Sequence, residues 1–109
     1  GGIVRARELL ERFPKVDGIL AVSDMVALSL YRVLHETGRS VPDDIMIVGY
    51  DNLELSSLMT PSLTTVAQPM EEIGRMSAKI IIDMVENNKL EQREIILPVS
   101  LKIRETTVI

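Results

Sequence analysis

Gly18-Ile19-Leu20-Ala21-Val22, followed at once by Ser23-Asp24 and then by a helical pattern over residues 25–37, decides the fold. The apolar run has strand length and none of the alternation of a strand with one wet face, so it reads as a strand buried on both faces of a parallel sheet. Ser23-Asp24 supplies side-chain oxygens where the first N–H groups of a helix need acceptors, with Asp24 as the helix cap. Gly38 closes that helix where a left-handed residue is wanted. Beyond the Pro42-Asp43-Asp44 loop lies a second apolar run, Ile45-Met46-Ile47-Val48-Gly49-Tyr50. Strand, helix and strand make one βαβ unit, whose crossover is right-handed.

The same reading extends in both directions. Upstream, Ile3, Ala6, Leu9, Leu10 and Phe13 recur at helical spacing, predicting an amphipathic helix over residues 2–13 that ends at Pro14. Downstream, residues 51–57 are polar and suit a loop with one short helical turn, and Leu63-Thr64-Thr65-Val66-Ala67 is a β-branched strand. Gln68-Pro69 opens the longest helix, because proline in the first helical position sacrifices no hydrogen bond. Its apolar stripe is Met70, Ile73, Ser77, Ile80, Ile81 and Met84, and it frays near Asn87-Asn88. Residues 94–97 and 99–103 read as two further short strands parted by Pro98. The expected architecture is α/β, a mainly parallel sheet flanked by helices.

Composition narrows the function classes. A chain of 109 residues, 46% hydrophobic and 26% charged, is an ordinary globular composition sized for one domain. Its longest apolar stretches are four or five residues, against the ~20 needed to span a bilayer. With no cysteine there is no disulfide, thiol nucleophile or thiolate zinc site, and the chain is compatible with a reducing compartment. A net charge of −4 offers no field for phosphate backbones, so this chain is not expected to bind nucleic acid by itself. It opens Gly1-Gly2-Ile3 without methionine and turns helical almost immediately, as a piece of a longer protein would.

Catalytic and metal constellations are lacking. His35 is the single histidine and sits within a helix, and the acidic pairs Asp43-Asp44 and Glu71-Glu72 diverge along the backbone, so no catalytic residue, metal site or cofactor is expected. Neither glycine-rich phosphate motif occurs. Position says more. Ligands of open α/β sheets bind beyond the carboxyl ends of the strands. Ser23 and Asp24 follow the first strand, Asp51 the second and Gln68 the third. A hydroxyl, a carboxylate and an amide there suit a neutral, hydroxyl-rich small molecule. Ordinary turn chemistry competes with that reading, since Asp24 also serves as a cap and Asp51 as an Asx-turn former.

From Asp17 to Thr107 the sequence resembles the carboxyl-terminal part of the core of lactose-repressor/galactose-repressor family transcription regulators. The segments that carry the likeness are the run from Asp17 to Leu28, Val41-Pro42-Asp43-Asp44-Ile45 leading into Val48-Gly49-Tyr50-Asp51, Pro61-Ser62-Leu63-Thr64-Thr65-Val66 with Gln68-Pro69, and Ile103-Arg104-Glu105-Thr106-Thr107. The resemblance implies the second lobe of a periplasmic-binding-protein-like core, formed by residues 1–67 and 98–105, with residues 68–97 crossing to a first lobe outside this chain. It implies no DNA-binding headpiece here. It puts Ser23, Asp51 and Gln68 on effector-contacting positions, although many members carry asparagine where this chain has Ser23. Some members with Ser-Asp at that point resemble catabolite-control regulators, so a phosphorylated carrier protein is implied as an alternative partner to a free sugar.

A second apolar face adds a partner of another kind. Beside the core-facing stripe of the helix over residues 25–37, Met25, Leu28 and Tyr31 extend apolar character around it, rimmed by Ser29, Arg32 and His35. The resemblance implies a homodimer through this helix and Leu58-Met59, with Met25, Leu28, Arg32, Leu58 and Met59 in the contact. The expected function is therefore the effector-sensing and dimerising part of a cytoplasmic, bacterial-type regulator that answers to a sugar-like or polyol ligand and reaches DNA only through the absent headpiece. A fragment of a periplasmic sugar-binding protein is the alternative, and a small flavodoxin-like enzyme would need a phosphate-binding turn that is missing.

Overall fold

A computed structural model of the chain describes residues 1–87 and 94–109. They form two compact units, Gly1–Ala67 with Leu101–Ile109, and Gln68–Ser100. The first runs α1 (Gly2–Arg12), β1 (Gly18–Leu20), α2 (Asp24–Glu36), β2 (Met46–Asp51), α3 (Glu54–Leu58) and β3 (Thr64–Ala67), with a 3-10 turn at Glu105–Thr107. Helix α4 (Met70–Asn87) belongs to the second, and β4 (Ser100–Lys102) straddles the boundary. The four strands lie in the order β1-β2-β3-β4, and β2 pairs in parallel with both β1 and β3.

One core organises the first unit. Ala27, Leu30, Val33 and Leu34 recur at helical spacing on α2 and pack with Ile45, Ile47 and Leu63 from the sheet and Ala6 and Leu10 from α1. Each large side chain so buried contributes roughly 1.5–3 kcal/mol. Along β2 burial alternates: Ile47 and Gly49 are buried, as is Ile45 just before the strand, while Met46, Val48 and Tyr50 are half-buried.

Here the expected strand over residues 18–22 needs correction. Regular pairing stops at Leu20, and the strand is not sealed on both faces, since Leu20 is 73% and Val22 80% exposed. The cause is layering. Leu20 pairs with Val48, on the face opposite Ile19 and Ile47, whereas α1 and α2 both pack on the Ile47 side. A continuous apolar run records that a strand was selected for two covered faces; the described residues of this unit supply one helical layer.

The chain's return is held by threonines. Thr106, fully buried, donates from its backbone N–H to Ser62 O (3.0 Å) and from Oγ1 to Ile47 O (2.7 Å), and Oγ1 accepts from Thr64 N (2.9 Å). Of the two strands expected near the end, the later one appears, at Ser100–Lys102. Residues 94–97 are not a strand. They belong to the second unit, whose described residues place no strand beside them to take up their backbone hydrogen bonds.

Within that second unit α4 starts directly after Pro69, whose carbonyl accepts from Ile73 N at 2.9 Å. Glu71 and Glu72 occupy the first turn, where the helix dipole favours negative charge, and Glu72 pairs with Arg75. No residue of α4 is buried: Ile73, Met76 and Ile80 are half-covered, and Met70, Ile81 and Met84 of the expected stripe are exposed. Asn87 ends the helix; Asn88 lies outside the described residues.

Candidate functional site at the carboxyl ends of the strands

Because β1, β2 and β3 run parallel, their carboxyl ends share one edge of the sheet. Ser23 follows β1 in extended backbone (φ −155°) and its Oγ accepts from Val26 N at 3.2 Å, so Ser23 is the N-cap of α2. This corrects the sequence reading in which Asp24 caps. A serine in that position accepts through its Oγ and retains its O–H as a donor.

Asp24 is instead the first residue of α2 and is fully buried. Its Oδ2 accepts from Leu53 N (2.8 Å) and its Oδ1 from Thr65 Oγ1 (2.6 Å), and the helix N-terminus adds partial positive charge beside this buried carboxylate. Gly49 makes the space: a Cβ there would overlap Asp24 Oδ1 and sit 2.8 Å from Leu63 Cδ2.

Asp51 closes β2, half-exposed, opposite Ala67 at the end of β3. Its φ of 117° and that of Asn52, 56°, are both in the region L-residues avoid. Gln68, half-exposed, is the next residue after Ala67 and the first of the second unit. The fold thus brings Ser23 and Asp51 to adjacent strand ends, with Gln68 one residue beyond Asp51's partner.

Sequence reasoning missed the supports behind these positions. Thr65 Oγ1 accepts from Asn52 N at 3.2 Å while donating to Asp24. Arg104 gives Nη1 to Ser56 Oγ (2.9 Å) and Leu63 O (3.0 Å) and Nη2 to Asn52 Oδ1 (2.9 Å), tying the chain's last segment to the loop after β2. Both residues lie in the segments that carry the family resemblance, which was the one available signal.

On the outer side of α2, Met25 and Leu28 are exposed, and Arg32, also exposed, pairs with Glu36 at 3.3 Å. Leu58 is 75% exposed, whereas Met59 is half-buried against the core. Tyr31 turns inward as well, its hydroxyl donating to Pro61 O. Burial, and secondarily the Glu105 charge, raises its pKa above the ordinary tyrosine value. Leu28, Tyr31, Arg32 and His35 border a hollow of about 580 Å³ on this side. Among the described residues no cluster of three metal-binding side chains occurs, and no helix is long and apolar enough to cross a membrane.

The sequence profile of the periplasmic binding protein-like domain matches residues 2–107. The chain belongs to that family. Within it the likeness is to LacI-family transcription regulators: the ribose operon repressor of Halalkalibacterium halodurans is 42% identical over 93% of this chain. The HTH-type transcriptional regulator CelR of Thermobifida fusca is 38% identical over 96%. This chain spans 30% and 31% of those two proteins. Among solved structures, a CelR–cellobiose complex superposes with a TM-score of 0.91 at 38% identity, covering 96% of this chain and 32% of that one. A LacI-family regulator from Enterococcus faecium with bound ribose gives 0.84 at 40%, covering 98% and 39%. The α/β architecture and the family resemblance read from the sequence both hold.

Proposed function

We propose that this chain is the effector-sensing part of a cytoplasmic, bacterial-type transcription regulator, not an enzyme, and that its effector is a small sugar met by Ser23, Asp51 and Gln68. The observation that carries the reading is the placement of a hydroxyl and a carboxylate at the adjacent carboxyl ends of β1 and β2, the edge at which α/β sheets take their ligands. A carboxylate accepts from two neighbouring sugar hydroxyls, and the capping serine still donates. Solved structures with bound ribose or cellobiose, at 40% and 38% identity, favour a sugar over a phosphorylated carrier protein as the effector. Regulators among the relatives likewise favour this reading over a transport protein. Residues 68–97 would then cross to a first lobe, and DNA would be reached through a headpiece in the full-length protein.

Calorimetry on the full-length protein with D-ribose and with cellobiose tests it. Asp51→Ala is expected to weaken binding of the accepted sugar at least about tenfold, the loss of one or two charge-assisted hydrogen bonds. Unchanged affinity removes Asp51 from the site.

The same reading includes a homodimer across α2, with Met25, Leu28 and Leu58 as its apolar centre, Met59 beneath them and Arg32 on the rim. A charge at the centre of a two-fold contact is desolvated without a partner. Leu28→Glu should sediment as a folded monomer, and a persistent dimer at micromolar concentration would place the contact elsewhere. Met59→Glu is the poorer probe, because Met59 also packs on the core.

A further inference from the structure

We infer that Asp24, Thr65, Asn52 and Arg104 are positioning residues that hold Asp51 in a strained backbone conformation and so aim its carboxylate at the ligand, an inference that rests on the reading of Asp51 as a ligand contact. Its ground is an outlier. Asp51 and Asn52 follow one another at φ 117° and 56°, and successive non-glycine residues persist there only where the surroundings over-determine them. A glycine at position 51 would turn the chain without strain.

The surroundings do over-determine it. The two amides after Asp51 are both anchored, Asn52 N–H to Thr65 Oγ1 at 3.2 Å and Leu53 N–H to Asp24 Oδ2 at 2.8 Å. Thr65 Oγ1 in turn donates a hydrogen bond to Asp24 Oδ1 at 2.6 Å, so both routes end on one fully buried carboxylate. From the other side Arg104 grips Asn52 Oδ1 at 2.9 Å and is itself fixed by Ser56 Oγ and Leu63 O. A buried anion and a half-buried guanidinium thus converge on a single two-residue turn. For stability alone that is an expensive device, since buried ions add little net stability over apolar packing. What it provides is a fixed Cα–Cβ direction at Asp51 before ligand arrives, which removes an ordering cost from binding.

The test uses the full-length protein, D-ribose calorimetry and backbone hydrogen exchange. Thr65→Val keeps the shape and removes the hydroxyl; it should weaken ribose about tenfold, the scale of one misaligned charged hydrogen bond. Thr65→Ser should restore affinity, and Ile45→Val, a core change lowering Tm comparably, should leave it within about twofold. Asn52→Gly, which tolerates the positive φ and so does not threaten folding, should weaken ribose through loss of the Arg104 tie alone. In the free protein Thr65→Val should speed exchange at the Asn52 amide relative to Ile47.

If Asp51→Ala leaves ribose affinity unchanged, the site reading fails by itself. If Asp51→Ala weakens ribose while Thr65→Val and Asn52→Gly do not, the positioning role is overturned and the site stands. Unchanged exchange at Asn52 in Thr65→Val overturns the clamp whether or not ribose is the effector.

Discussion

Helices α2 and α4 are both amphipathic, and they end in opposite circumstances. Of the 13 residues of α2 five are buried, Asp24 among them; of the 18 in α4 none is. The stripe of α2 meets Ile45, Ile47 and Leu63 in one core, whereas Ile81, Ile82, Met84 and Val85 of α4 are exposed. Apolar periodicity therefore fixes that a helix forms and which face seeks cover, and says nothing of what covers it. Stability in this chain should follow cover, so it should be concentrated in the first unit.

The largest expected effect compares truncations in the two helices. Leu34 is 1% exposed, and Leu34→Ala should lower unfolding stability by ~2–5 kcal/mol through lost transfer energy and the cavity left behind. Ile81 is 61% exposed, and Ile81→Ala should fall within about 0.5 kcal/mol of wild type. Urea denaturation of both variants measures the contrast. Equal losses would mean that α4 is covered in solution as well as α2 is.

Two glycines repeat the contrast at smaller scale. Gly49 sits against Asp24 Oδ1 and Leu63 Cδ2, so Gly49→Ala should destabilise by ~1–3 kcal/mol as the carboxylate is pushed from its donors. Gly74, mid-α4, has nothing within reach of an added Cβ. Gly74→Ala should gain up to ~1 kcal/mol of local helix stability, visible as helicity by circular dichroism. A gain at position 49 would show that the carboxylate has room to move and is not the fixed anchor its hydrogen bonds describe.

What the sequence made legible follows the same line. The βαβ unit, the long helix after Pro69 and the strand-end placement of Ser23, Asp51 and Gln68 all come from periodicity and local turn chemistry. The sealed β1, the strand over residues 94–97 and Asp24 as cap do not hold, because each depended on a partner distant in sequence. Asp24 shows why: serine and aspartate are both good caps, and only Leu53 and Thr65, which are 29 and 41 residues away, reveal which one is capping and which is buried. The tie from Arg104 to Asn52 spans 52 residues and has no local signature at all. Family resemblance covered Asp24, Thr65 and Arg104 without supplying their roles, and did not reach Asn52 or Leu53.

The smallest effect separates two surface carboxylates whose pKa values are both lowered, for different reasons. Glu105 is held down by the Ser62 backbone N–H (2.9 Å) and then by the Ser62 hydroxyl (3.0 Å), a contact across 43 residues that locks the 3-10 turn. Glu72 is held down first by its hydrogen bond from Arg75, three residues along the same helix. A carboxylate with a depressed folded pKa lends stability above its unfolded value and loses it as pH falls through the folded one, so both contributions should be lost progressively as the pH falls below the ordinary glutamate value of about 4.3. The consequences should differ with what each contact joins. Glu105→Gln should flatten part of the acid-side fall in Tm, because the contact it removes holds the first unit together. Glu72→Gln should leave the global Tm profile unchanged and alter only helicity, since its loss is confined to one turn of a helix with no buried residue. Thermal melts between neutral and acidic pH distinguish them, and a Tm profile that responds to Glu72 as strongly as to Glu105 would mean that α4 shares in the cooperative core.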